Sequence, residues 1–209
     1  MAPQPPKALK PRKTPAQSRS RVTVDAIFEA TIQVLLSRGM AGLTTTSVAE
    51  RAGVSVGTMY QYFPNKQSLV HALNDRFLTA LAERVEGTCA RMRAQPLAEA
   101  AEALIDTYWA VKTERVELTQ ALYRSVAELD NDALMHAFAA RVDRATTAMF
   151  REAADLPAHD ASRLNLLLTT VIYGAVRNAF ERGLDPEEIS GLKSDLKAMC
   201  RAHLASVGR

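Results

Sequence analysis

Short hydrogen-bonding side chains recur on one side of an eight-residue segment that runs from residue 56 to residue 63. At 3.6 residues per helical turn, Val56, Met59 and Phe63 would share an apolar face that packs. The opposite face is uncharged and carries small or hydrogen-bonding groups: Gly57, Thr58, Gln61 and Tyr62. Such a face suits the major groove of DNA, where bases are read through donors, acceptors and methyl groups. The segment is therefore predicted to be a helix that reads DNA.

Two further side chains are placed to hold the DNA backbone. Tyr60 lies at the edge between the two faces, where a phenol can reach a phosphate oxygen. Lys66 lies just past the end of the segment and could reach another phosphate. The stretch thus combines groups for bases with groups for phosphates.

The same stretch contains a competing motif, because residues 53–57 read Gly-Val-Ser-Val-Gly and match the G-x-S-x-G nucleophile elbow of serine hydrolases. That elbow joins a strand to a helix, and an acid and a histidine follow it in the chain. Here Ser47 to Ala52 have a helical pattern, and nothing nearby has the pattern of a strand. A hydrolase that uses Ser55 is the less favoured interpretation, and it would turn over esters.

A first helix must precede the reading segment and hold it. Its N-cap is Thr44 or Thr45, or, one turn later, Ser47 with Glu50 completing an S-x-x-E box. Gly53 can take the positive φ that is needed just past a helix end. Two helices joined by this glycine turn form a helix-turn-helix. The second helix is bounded by its cap and its stop, Ser55 and Pro64.

The motif resembles the N-terminal domain of TetR-type (TetR/AcrR-like) transcriptional regulators. The matched positions are Gly39, residues 44–49, residues 52–55, Gly57, Thr58, Tyr60, Tyr62, Phe63, Lys66 and Leu69. The resemblance implies that phosphates are held by Thr45, Thr46, Ser55, Tyr60 and Lys66. It implies that base edges are faced by Gly57, Thr58, Gln61 and Tyr62. The proline, lysine or arginine that is typical of the family near Val56 and Gly57 is missing here.

The charge of the chain is distributed unevenly. Through residue 66 there are nine Lys and Arg residues against three Asp and Glu residues, whereas the remainder has seventeen against twenty. A basic head on a mildly acidic body fits an N-terminal domain that binds double-stranded DNA.

No alternation of period two is long enough for a strand, so the chain is predicted to be all-α with about nine helices. A helix over residues 20–38 would brace the motif, and one over residues 66–93 would span roughly 40 Å. Further helices are predicted near residues 98–110, 113–129, 132–154, 158–182 and 186–207. The predicted domains are a disordered basic arm (1–18), a helix-turn-helix domain (19–66) and a helical effector-binding and dimerisation domain (67–209).

Besides the G-x-S-x-G match, the sequence has one S-x-x-K match at residues 194–197, which is close to chance in an alanine-rich helix, and no other catalytic or metal motif. The two cysteines fit no metal spacing, the four histidines form no H-E-x-x-H, and there is no glycine-rich phosphate loop. No apolar segment reaches the roughly 20 residues that a bilayer requires. We therefore expect a cytoplasmic protein that is not an enzyme and has no metal, no cofactor and no membrane partner.

The body concentrates large adaptable side chains that could line an effector cavity, although plain packing explains each one alone. The resemblance implies a small, often apolar effector. The candidate pocket residues are Tyr108, Trp109, Leu122, Tyr123, Met135, Phe138, Tyr173 and Arg177, with His136, Met149 and Phe150 as further members.

A four-residue ridge near the C-terminus could pair helices across a twofold axis, with an intramolecular core contact as the alternative. The resemblance implies that helices 158–182 and 186–207 pair with their copies. The ridge residues are Leu166, Thr170, Val171, Gly174 and Asn178.

These observations predict a homodimeric transcriptional regulator, most simply a repressor that binds a palindromic operator and is released by a small effector. A nucleoid-type protein without an effector is the second alternative, and it would bind scrambled DNA equally well.

Overall fold

The computed structural model describes residues 18–126, 131–155 and 161–207. Within these ranges the chain forms nine α-helices and no strand, which confirms the all-α prediction. The predicted arm over residues 1–18 lies outside the described residues, apart from Ser18. The helices are α1 (Ser18–Gly42), α2 (Thr45–Ala52), α3 (Val56–Tyr62), α4 (Lys66–Arg91), α5 (Leu97–Glu114), α6 (Val116–Val126), α7 (Asp132–Arg151), α8 (Ala161–Arg182) and α9 (Pro186–Val207).

Two compact units divide the chain, and each combines segments that are distant in sequence. Among the described residues, the head unit contains residues 18–78, 116–126 and 131–136, and the body unit contains residues 79–115, 137–155 and 161–207. The head unit is therefore larger than the predicted domain 19–66, because it also includes the start of α4 and the whole of α6. The continuous helix α4 contributes residues to both units.

The head unit is built on the apolar stripe of α1. Its periodic positions are all buried: Val24, Ile27, Phe28, Thr31, Val34 and Leu35. Phe28 lies against Phe63 with ring centroids 5.7 Å apart, and the guanidinium of Arg76 stacks on Phe28 and pairs with Asp25. The stripe thus fixes the residues that immediately follow α3.

The end of α1 differs slightly from the prediction. Gly39 leaves the helical conformation with a φ of 65°, as a helix terminus near residue 38 would require, but helical residues resume through Gly42. Leu43 then enters the core fully buried, and Thr44 begins the next element.

The body unit packs α5 against α8 and α9. Asp106 on α5 receives ion pairs from Lys193 and Lys197 on α9, each at 2.7 Å. The start of α9 is fixed by Asp185, whose carboxylate accepts the N–H groups of Glu187 and Glu188 at 2.8 and 2.9 Å. A carboxylate at a helix start satisfies unpaired N–H groups, so this cap defines where α9 begins.

Candidate nucleic-acid interface

Of the three N-caps that the sequence left open for α2, which were Thr44, Thr45 and Ser47, Thr44 takes the position. The hydroxyl of Thr44 accepts the N–H of Ser47 at 3.0 Å, and the Ser47 hydroxyl oxygen accepts the N–H of Thr44 at 3.3 Å. This reciprocal pair is a capping box with Thr44 as the N-cap. Gly53 ends α2 in the left-handed region, with φ 66° and ψ 29°, and its N–H reaches the carbonyls of Ala49 and Glu50. A residue with a Cβ would be strained there, so glycine makes the turn possible.

Ser55 is the N-cap of α3, and its surroundings are not those of a catalytic serine. Its hydroxyl accepts the N–H of Thr58 at 3.0 Å and lies 2.8 Å from the Thr58 hydroxyl. The element before it is the helix α2, not a strand. The G-x-S-x-G match is therefore a turn and cap of a helix-turn-helix, and the hydrolase interpretation is not supported.

The buried face of α3 is rotated relative to the predicted one. Met59 and Phe63 are buried as predicted, but Tyr62 is also buried, with 7% of its surface exposed. Its ring lies 6.3 Å from that of Phe63. The expectation that Tyr62 shares the outward face is therefore wrong. The physical reason is that a buried stripe centred on Met59 includes both residues three and four positions later.

Val56 differs from the prediction in the opposite sense. It was expected to pack with Met59, but 40% of its surface is exposed. Val56 is the first residue of a helix of only seven residues, and it lies at the edge of the buried stripe. The outward surface of α3 therefore consists of Val56, Gly57, Tyr60 and Gln61, with Thr58 half-buried.

Tyr60 connects the outward surface to α2. Tyr60 is 42% exposed, and its hydroxyl oxygen accepts a hydrogen bond of 3.2 Å from the Thr45 hydroxyl. Thr45 itself is buried, whereas its neighbour Thr46 is exposed. Thr45 thus orients the phenol of Tyr60, and that phenol is the group available at the surface.

Lys66 has a structural contact that sequence analysis missed. Its ammonium donates to the carbonyl oxygen of Met40 at 3.0 Å, at the end of α1. A cation at the C-terminal end of a helix is favourable, since the carbonyls there carry partial negative charge. The hydrogen bond from Lys66 to Met40 joins residues 26 positions apart, so it has no local sequence signal.

The start of α4 is fixed by Asn65, whose side-chain oxygen accepts the N–H of Ser68 at 2.7 Å and caps the helix.

The predicted pocket residues are divided between the two units. Leu122 belongs to the head core, and Tyr123 and Met135 also lie in the head unit. In the body unit, Tyr108, Trp109 and Phe138 are buried, Tyr173 is half-buried, and the exposed Arg177 pairs with Glu181 at 2.7 Å.

A concavity in the body unit is lined by residues other than those predicted for the effector pocket. Its volume is about 560 Å³, and it is open to solvent. The lining comes from α4 and α5 and contains none of the predicted residues: Ala80, Glu83, Arg84, Gly87, Thr88, Arg91, Asp106, Thr107 and Ala110. The predicted apolar lining is therefore not the lining of this groove.

The predicted ridge on α8 lies on the surface. Leu166 is 68% exposed, Thr170, Gly174 and Asn178 are exposed, and Val171 is half-buried. Two large apolar side chains that sequence analysis did not select are exposed as well, Leu167 on α8 and Met199 on α9. The alternative of an intramolecular core contact thus does not hold for the four exposed residues.

Residues 18–126, 131–155 and 161–207 contain neither a membrane-spanning helix nor a group of side chains that could hold a metal ion. No helix in these ranges combines the length and the apolar character needed to cross a membrane. No three His, Cys, Asp or Glu side chains there are grouped so that they could hold a metal ion.

Cys89 and Cys200 are both buried. Desolvation raises the pKa of the Cys89 thiol to about 11, so this thiol is a poor nucleophile at neutral pH.

Comparison with known proteins covers both halves of the chain. Residues 27–73 match the model for bacterial regulatory proteins of the tetR family, and residues 96–204 match the model for a tetracyclin repressor-like C-terminal domain. The class C tetracycline repressor protein of Escherichia coli is 40% identical over 55 residues, which are 26% of this chain and 25% of that protein. The curated relatives match over 25% to 37% of their own length.

Solved structures show the same fold over most of the chain. A protein of Mesorhizobium loti assigned to the TetR family of transcriptional regulators has a TM-score of 0.71 at 18% identity, and the match covers 91% of this chain and 98% of that one. SmeT, in a complex with triclosan, has a TM-score of 0.68 at 22% identity, with coverage of 88% and 90%. These likenesses show the fold, and the two family models show the family. The chain belongs to the TetR family of bacterial regulatory proteins and is a DNA-binding transcriptional regulator, not an enzyme.

Proposed function

We propose that the protein is a homodimeric repressor that binds a palindromic operator in double-stranded DNA and is released by a small, apolar effector. The observation that carries the proposal is the outward surface of α3, which is uncharged and lies in a head whose sequence is basic. A dimer would place one α3 in each of two major grooves about 34 Å apart, the distance of one helical turn of DNA. As a bacterial regulator that binds DNA, it would act in the cytoplasm.

The proposed DNA contacts follow the exposure of each side chain. Gln61 is the exposed hydrogen-bonding group of α3, and the amide of glutamine can pair with adenine in two places. Thr58 is half-buried and Gly57 has no side chain, so base contacts at these two positions would require the helix backbone to lie close to the DNA. Phosphate contacts are proposed for Thr46, Ser55, Tyr60 and Lys66, whereas the buried Thr45 would act by orienting the phenol of Tyr60. Tyr62 would support α3 from the core.

The proposed dimer face is the ridge on α8. It exposes Leu166 and Leu167 on one helix, and large exposed apolar groups are characteristic of surfaces that associate. Gly174 has open space where a Cβ would be, so a helix from a second chain could approach closely. Symmetric pairing of this face is the simplest way to supply the second reading helix.

Repression and release are proposed from the relatives. The Escherichia coli relative is named a tetracycline repressor, and SmeT is seen with triclosan. An effector that binds the body better in the state released from DNA would lower operator affinity by its differential binding energy. Triclosan itself is a suitable first probe. Release of a labelled operator from the wild-type complex, measured by anisotropy, would support this class of effector, and an unchanged complex across a panel of apolar molecules would contradict it.

The operator proposal is tested by in vitro selection with the full chain, followed by competition against a scrambled duplex at one salt concentration. We expect selection to enrich an inverted repeat, and the scrambled competitor to bind at least about a thousandfold more weakly. Equal affinity for both duplexes would favour the nucleoid-type alternative.

Replacing Lys66 with methionine should weaken operator binding about tenfold and flatten its salt dependence. If each chain loses one phosphate contact, the slope of log K against log salt falls by about two for a dimer. Binding is measured at four salt concentrations. Lys193→Met, in the body, is the matched control and should leave the slope unchanged. Weaker binding with an unchanged slope would mean that Lys66 acts only through its hydrogen bond to Met40.

A further inference from the structure

The first turn of α3 exposes an apolar side chain at a position where a helix that reads DNA would be expected to carry a hydrogen-bond donor or acceptor. Val56 is 40% exposed, although nothing in a helix-turn-helix requires an apolar residue on the outside. The hydroxyl of the preceding residue, Ser55, is engaged with the N–H and the hydroxyl of Thr58. Gly57, which follows, carries no side chain. The valine is therefore the exposed side chain at the very start of the reading helix.

Valine has a narrow choice of partners in the major groove. It neither donates nor accepts hydrogen bonds, so the polar edges of guanine, adenine and cytosine would lose water against it without gaining a partner. The C5-methyl group of thymine is the apolar group that the groove displays. A methyl group packed against valine leaves water without breaking a hydrogen bond. Selectivity for thymine would thus have two sources. One is the favourable contact between the methyl group and valine, and the other is the unfavourable loss of water from the polar edges of the other bases.

The local geometry favours such a contact. A β-branched side chain in a helix keeps one strongly preferred rotamer, so little side-chain freedom is lost on binding. Gly57 permits close approach of the helix to the groove floor, and the space at its missing Cβ has only the Ser55 hydroxyl nearby, at 3.8 Å.

We infer that Val56 is a specificity-determining residue that contacts the C5-methyl group of one thymine in each operator half-site. The inference rests on the proposed function and adds to it the chemistry of one base position. It predicts a requirement for a methyl group, and not for a particular pattern of hydrogen bonds, at that position.

The test removes the methyl group alone. Each thymine of the selected operator is replaced symmetrically by uracil, and affinity is measured by fluorescence anisotropy for the wild-type chain and for Val56→Ala. We expect one position at which uracil weakens wild-type binding about fourfold per half-site, or about fifteenfold for both. The same replacement should change binding of Val56→Ala by less than twofold. At that position 5-methylcytosine should bind wild type better than cytosine does.

Matched controls separate this inference from a general effect. Val22→Ala removes the same atoms from another exposed valine of the head unit, on α1, and should keep the full uracil penalty. Thermal melting checks that both variants fold. The inference is overturned if Val56→Ala keeps the penalty at the same thymine, or if no thymine shows one. Failure of selection to enrich any operator would instead remove the proposed function, and the inference with it.

Discussion

Replacing Leu166 with lysine is expected to produce monomers and to weaken operator binding at least about a hundredfold. Leu166 is 68% exposed in the single chain, and it is the large apolar residue of the proposed dimer ridge on α8. A lysine there would have to bury an unpaired charge between two symmetry-related helices. Each chain carries one α3, so a monomer would hold one half-site and would lose the high effective concentration of the second head.

The exposed Val22 provides a closely matched control. It is also 68% exposed, but it lies on α1 in the head unit, away from α8 in sequence. Val22→Lys should therefore stay dimeric and should bind the operator at least as well as wild type. Mass is measured by light scattering or sedimentation, and affinity is measured on the same samples. A dimeric Leu166→Lys protein with unchanged affinity would show that another surface joins the subunits.

The parts of the molecule that could be predicted depend on signals within about four residues. Gly53 ends α2, the hydroxyl of Ser55 caps the start of α3, and Pro64 follows the end of α3, and each acts on residues close to it in sequence. Hydrophobic spacing located α1 for the same reason. Helix order and the helix-turn-helix were therefore accessible before any coordinates.

Features that depend on distant residues were not accessible. Which side of α3 is buried is decided by Phe28 and the rest of the head core, so periodicity alone placed Tyr62 outside and Val56 inside. The bond from Lys66 to Met40 joins residues 26 positions apart. The placement of Leu122 in the head core likewise depends on long-range packing, and the effector pocket itself stays a prediction.

A buried lysine in the body unit could not be recognised from the sequence pattern. Its replacement is expected to have the second large effect, which is on the free energy of unfolding. Lys112 on α5 is 4% exposed, between Tyr108 and Trp109 in helical projection. Desolvation lowers the pKa of its ammonium group from 10.5 to about 7. The unfolded chain therefore holds a proton between about pH 7 and pH 10.5 that the folded chain has released. The free energy of unfolding should consequently rise with pH through this window, and the full penalty should remain below about pH 7.

Lys112→Met should remove that penalty while keeping a side chain of similar length. We expect the variant to be more stable than wild type by about 2 to 4 kcal/mol at pH 6.5, with the difference shrinking toward zero near pH 10.5. Urea unfolding at a series of pH values measures it. Lys197→Met is the control, because its ammonium pairs with Asp106 at 2.7 Å and its loss should destabilise by a similar amount from pH 6.5 to about pH 9. Parallel stability curves for wild type and Lys112→Met would mean that the folded chain keeps Lys112 charged across the window, with its burial compensated by the groups around α5.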